Sequence, residues 1–170
     1  RFFRASGCRR MVHLGDICDS VASEQADRCV RILRKYNVLA VKGNNDHAVV
    51  KNGAARQKGP IAATTLEYLA ALPLQVEMSN ALFVHSRPFA ETLGLSAMTG
   101  DVDRETALRF QAHCPGRLLF RGHGHTPGVL WLTAGRNPVA GPIPEEGLRL
   151  DAKRNWIITC GALYKGMCMV

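Results

Sequence analysis

Five side chains have the types and placement to hold metal ions: Asp16, Asn44, His85, His123 and His125. Four of them close short apolar runs. Asp16 follows Met11-Val12-His13-Leu14, and Asn44 follows Val38-Leu39-Ala40-Val41. His85 follows Ala81-Leu82-Phe83-Val84, and His123 follows Leu118-Leu119-Phe120 by a few residues. Taken singly, an Asp after Gly is commonly a turn or a helix cap. A His after an apolar strand is commonly hydrogen-bonded structure. Four such endings in one chain point instead to a shared site. Gly122-His123-Gly124-His125 adds a second imidazole two residues on, with glycines that permit the turns needed to aim both rings into one cavity. Imidazole, carboxylate and amide oxygen suit borderline divalent ions such as Mn, Zn, Fe, Ni or Co. No cysteine falls at these positions, which argues against a structural zinc site. A carboxylate shared by two ions, with histidines around it, is what two-metal hydrolysis requires. Ions about 3.5–4 Å apart clamp a phosphoryl group and acidify a bound water.

The flanking pattern shows how such residues would be positioned. Residues 2–6 read as the end of a helix stopped by Gly7 in a left-handed C-cap. Residues 11–14 and 38–41 read as buried strands. Between them, residues 22–36 form an expected helix, with Ala26, Cys29, Val30 and Leu33 on one face and Asn37 closing it. Gly43-Asn44-Asn45-Asp46 reads as turn chemistry. Residues 62–72 read as a helix stopped by Pro73. Residues 74–78 and 81–84 form an expected hairpin around Ser79-Asn80. A helix over 103–113 follows, capped by Asp101 or Asp103. Strands are expected at 118–120, 129–133 and 156–159, with a Gly/Pro-rich turn region over 135–147. Alternating strands and helices predict an α/β fold with largely buried sheets. In such folds ligands sit beyond the carboxyl ends of strands.

With 170 residues, 46% hydrophobic and 21% charged, the chain reads as one soluble globular domain. It has no long uncharged apolar run, so no membrane span is expected. Cys8, Cys18, Cys29, Cys114, Cys160 and Cys168 include no C-x-x-C pair. They read as free buried thiols in a reducing cytoplasm. The net charge of +8 raises nucleic-acid binding. Yet Arg1, Arg4, Arg9 and Arg10 are the only N-terminal basic cluster, and no aromatic stacking motif accompanies them. A basic surface around a site for anionic substrates is the preferred reading. Nothing in the sequence specifies an oligomeric state.

The order Gly15-Asp16, Gly43-Asn44-Asn45-Asp46, His85 and Gly122-His123-Gly124-His125 resembles the calcineurin-like metallophosphoesterases, whose pattern is D-x-H, G-D, G-N-H-D, H and G-H-x-H. Val12 to Ile17, Leu72-Pro73-Leu74 and Phe83 to Pro88 are similar to the small bacterial and archaeal branch of phosphodiesterases and diadenosine-tetraphosphatase-like enzymes. The similarity runs over about residues 10–133. It implies a four-layer sandwich of two mixed β-sheets flanked by helices, in one domain spanning 1–170. It implies two divalent ions, with Asp16 between them, Asn44, His85 and His123 on one, and His125 on the other. The attacking group would be a metal-bound hydroxide.

Three departures shape the expectations. No D-x-H precedes Gly15-Asp16, so a further N-terminal segment carrying the first strand is expected, and intact mass would differ from 18.6 kDa. Asn45 replaces the family's catalytic histidine. It donates hydrogen bonds but no proton, which favours phosphodiester or nucleotide-like substrates over monoesters. His47 reads as a solvated loop histidine. Thr159-Cys160-Gly161-Ala162 stands where the family has Pro-Gly-Ser, and the C-terminal end is expected to continue beyond Val170. The alternative is a non-catalytic metal-binding or protein-docking module on the same fold.

Overall fold

A computed structural model describes residues 5–20, 25–52, 61–151 and 153–162. Strand β1 (Val12–His13) pairs in parallel with β2 (Leu39–Ala40), Val12 opposite Leu39. The flanking bonds Leu39 N–H to Met11 O (3.0 Å) and Val41 N–H to His13 O (3.0 Å) continue the ladder. Helix α1 (Ala26–Lys35) connects the two strands. Its Ala26, Val30 and Leu33 are buried on one stripe, as the spacing predicts. Asn37 leaves it with a left-handed φ of 50°. Asp27 in its first turn and Arg34 and Lys35 in its last complement the helix dipole.

Helices α2 (Asn44–Asn52) and α3 (Ala63–Ala71) pack on this small sheet. Ile17, Val30, Leu33, Ala40, Val49 and Leu69 form the core between them. The Gly-Asn-Asn-Asp segment therefore opens a helix, whereas the sequence suggested only a turn. His47 lies half-buried on that helix, not on a solvated loop.

The larger sheet is mixed. Its order is β3-β4-β5-β8-β6-β7. β3 (Gln75–Met78) and β4 (Ala81–Val84) form the expected hairpin, with Met78 opposite Ala81 and Ser79 at φ 56° in the turn. β4, β5 (Leu118–Arg121) and β8 (Asn155–Thr159) run parallel. β6 (Gly128–Leu132) lies antiparallel between β8 and β7 (Val139–Gly141). β7 falls inside the stretch read as turns. A short helix α4 (Ala90–Leu93) and a 3₁₀ turn (Gly94–Met98) were also not foreseen.

Alternation along the strands clothes both faces of this sheet. Leu82, Val84, Leu119 and Ile157 pack with Ala107 and Phe110 of helix α5 (Arg104–His113). Val129, Trp156 and Ile158 pack on the opposite face. Asp103, rather than Asp101, caps α5 by accepting the Thr106 N–H at 2.8 Å. Gly7 takes the expected left-handed φ of 74°. Residues 2–4 of the anticipated helix end over 2–6 lie outside the described residues. Among the described residues no helix is long and apolar enough to cross a membrane.

Candidate metal centre

The carboxyl ends of β1, β2, β4 and β5 meet at one place. Two glycines allow it. A Cβ on Gly43 would collide with the backbone N and carboxylate of Asp16. A Cβ on Gly122 would lie 2.9 Å from the Leu14 carbonyl oxygen. The three loops can touch only because these side chains are absent. Asp16 (φ 53°) and His123 (φ 51°) both hold left-handed backbone, which turns their side chains inward from loops that leave β1 and β5.

Four of the five expected ligands converge. Asn44 Oδ1 lies 3.0 Å from His85 Nε2 and 3.1 Å from His123 Nδ1. The two imidazole nitrogens are 3.2 Å apart, and Asp16 Oδ1 is 3.5 Å from His85 Nε2. His125 lies two residues beyond His123 on the exposed side of the same loop. Among the described residues no three His, Cys, Asp or Glu side chains alone form a group able to hold a metal ion. The cluster is joined by the Asn44 amide.

Hydrogen bonding fixes the chemistry of these atoms. His85 is buried, and its Nδ1–H donates to the Leu14 carbonyl at 2.6 Å. Burial is the main influence holding its pKa below the ordinary value, against the opposing charge of Asp16. The ring is therefore neutral near pH 7, and Nε2 carries an unshared pair. That pair faces Asn44 Oδ1, which can only accept. Two acceptors held 3.0 Å apart repel unless a proton donor or a cation stands against both, and His123 Nδ1 closes the triangle around them. An imidazole oriented by a backbone carbonyl behind it is the usual arrangement of a metal-ligating histidine. The donor set thus fits a borderline divalent ion.

A further residue organises the site and was not singled out from sequence. Asp46 is fully buried. It accepts the N–H groups of Ile17 (2.8 Å), Cys18 (3.3 Å) and Gly43 (2.9 Å), tying the Asp16 loop to the start of α2. Burial is the chief cause of a pKa lifted to about 6, partly opposed by the Gly43 and Cys18 N–H groups. Its signal was the final carboxylate of Gly-Asn-Asn-Asp. Asn45 grips Asp16 twice, through its backbone N–H to Oδ1 and its side-chain Nδ2 to Oδ2, both at 2.9 Å. The sequence suggested that this amide would donate to substrate, but here it donates to Asp16.

The fold matches that of a metallophosphoesterase from Sphaerobacter thermophilus. Its crystal structure aligns at a TM-score of 0.60 and 25% identity, over 94% of this chain and 69% of that one. The sequence model of the calcineurin-like phosphoesterase superfamily domain matches residues 2–137. The chain belongs to that superfamily. A search among curated proteins finds no match.

Proposed function

We propose that the chain is a metal-dependent phosphoesterase that hydrolyses phosphodiester or nucleotide-like small molecules at a two-metal site. In this reading Asn44, His85 and His123 hold one ion, Asp16 lies between the two, and His125 serves the second. The observation that carries it is the triangle of Asn44 Oδ1, His85 Nε2 and His123 Nδ1, with sides of 3.0–3.2 Å. When bound, the ions would supply Lewis-acid neutralisation of phosphoryl charge and an acidified water. The chain's own residues prepare that site. The Leu14 carbonyl sets the His85 tautomer, and Asn45 holds both carboxylate oxygens of Asp16. No acidic side chain stands at Asn45 to protonate a leaving group, which favours substrates whose leaving oxygen needs little help. Free thiols at Cys8, Cys18, Cys29 and Cys114 support a reducing, cytoplasmic setting.

The test is hydrolysis of bis-(p-nitrophenyl) phosphate against p-nitrophenyl phosphate with Mn, Zn, Ni or Co, alongside metal uptake measured by elemental analysis. Turnover of the diester, lost on chelation and in His85→Ala, supports the reading. Uptake of metal without turnover of either ester supports the docking alternative, which the Asn45 substitution favours. Neither uptake nor turnover would remove both.

A further inference from the structure

Helix α2 carries a stripe of side chains that leads away from the candidate metal centre. Asn44, His47 and Lys51 fall at i, i+3 and i+7, so they share one face of the helix. Asn44 fixes where that face looks, because its Oδ1 stands in the triangle with His85 and His123. At a rise of about 1.5 Å per residue, His47 lies about 4.5 Å and Lys51 about 10.5 Å further along the axis. Helical side chains lean back towards the N-terminus, which tips both towards Asn44.

The stripe is basic and reachable from solvent. His47 is half-buried and Lys51 is exposed. Lys42, just before the helix, adds a second ammonium. Its Nζ donates to the Ala70 carbonyl at 2.6 Å, which anchors that charge beside the end of α3. After burial, the charges of Lys51 and Lys42 hold the His47 pKa below its ordinary value, so the three groups lie within electrostatic reach of one another. Asp46 acts on Lys42, but it is fully buried and its oxygens are taken by the Ile17, Cys18 and Gly43 N–H groups. Among the described residues neither lysine pairs with a carboxylate. Cations gathered without an acidic partner repel, and an anion set among them relieves the repulsion.

We propose that Lys42, His47 and Lys51 form a subsite for a second phosphate of the substrate, joined through a sugar to the phosphodiester at the metal centre. The subsite rests on the hydrolase reading above, which puts the first phosphate at the triangle. Spacing along α2 selects the linkage. Phosphates in an anhydride share one bridging oxygen and sit closer than one helical turn of about 5.4 Å. Phosphates on two hydroxyls of one sugar are several bonds apart and span the step from Asn44 to His47 and Lys51.

Thymidine 3′,5′-bisphosphate, thymidine 5′-phosphate and thymidine 5′-diphosphate test it, titrated by calorimetry into the full chain with Mn present. Affinity is then read whether or not the chain turns over. The bisphosphate is expected to bind at least roughly tenfold tighter than the monophosphate, through charge-assisted hydrogen bonds to the added group. Lys51→Gln and His47→Gln each lose most of that ratio. Lys35→Gln, which removes an equal charge from α1, keeps it. Hydrolysis of thymidine 5′-(p-nitrophenyl phosphate) is followed in parallel. Turnover with equal affinity for monophosphate and bisphosphate overturns the subsite and leaves the hydrolase reading standing. The expected ratio without turnover keeps the subsite and counts against hydrolysis. Absence of both binding and turnover removes both. A Lys51→Gln variant with the full ratio, a Lys35→Gln variant that loses it equally, or tighter binding of the 5′-diphosphate than of the 3′,5′-bisphosphate also overturns the subsite.

Discussion

Removing the Asp46 carboxylate would cut the link between the Asp16 loop and helix α2. Asp46→Ala takes the acceptor from three backbone N–H groups, those of Ile17, Cys18 and Gly43. Each buried donor left unmatched costs about 1–3 kcal/mol, with the long Cys18 contact at the low end. Against this stands the cost of burying the charge. A pKa lifted from 3.8 to about 6 disfavours the ionised form by about 3 kcal/mol, and alanine removes that cost. The losses outweigh the relief, and Asp46→Ala is expected to be less stable by about 2–4 kcal/mol. Asp46→Asn keeps an oxygen for Ile17 and Cys18 but turns an NH₂ towards the Gly43 N–H. It gains the same relief but leaves two donors facing each other, its own NH₂ and the Gly43 N–H, unmatched at about 2 kcal/mol each, so its loss is about 1 kcal/mol. Urea denaturation at pH 7.5, above the Asp46 pKa, measures both with the slope held as a check on two-state behaviour. An Asp46→Ala variant as stable as the parent would refute the reasoning, as would an Asn variant less stable than the Ala variant.

Burial, reinforced by the nearby His85 and opposed by Asp16, lowers the His13 pKa to about 4. The folded state then resists protonation that the unfolded chain accepts at its ordinary 6.5. Stability is full above pH 6.5 and falls as the pH drops towards 4, by a ceiling of roughly 3 kcal/mol. His13→Gln should flatten that limb of a stability–pH curve. Phe110→Ala empties a fully buried position on α5 and should cost about 3–5 kcal/mol in the same denaturation assay. The Arg117–Glu77 ion pair, at 2.8 Å with Glu77 52% exposed, should matter little. Glu77→Gln is expected within about 0.5 kcal/mol of the parent.

The parts of the fold that were legible share one property: their signal is local. Ala26, Val30 and Leu33 repeat at helical spacing, and the one stripe they form is the one buried. The 74–78/81–84 hairpin was readable because Ser79-Asn80 separates two β-rich runs. Asn44–Asn52 was not, because its hydrophobic face is narrow and its first residues are turn formers. They enter the helix because Asp46, three residues past Gly43, accepts the Gly43 N–H. β7 is three residues in a Gly/Pro-rich stretch, and pairing with β6 makes it a strand. At the candidate site, residue types and strand-end positions marked Asp16, Asn44, His85 and His123. The second contact of Asn45 and the ion pair of Arg121 with Asp101 depend on partners 29 and 20 residues away, and no spacing rule reaches them.

The left-handed backbone at Asp16 and His123 carries an implication for how the sequence can drift. Residues with a Cβ lose roughly 1 kcal/mol there relative to glycine. A library of random variants sorted only for thermal resistance would therefore enrich glycine at both positions, and each gain would erase a side chain from the strand-end cluster. Any programme to harden this scaffold has to exempt those two codons, because resistance to heat and the ability to grip a cation pull them in opposite directions.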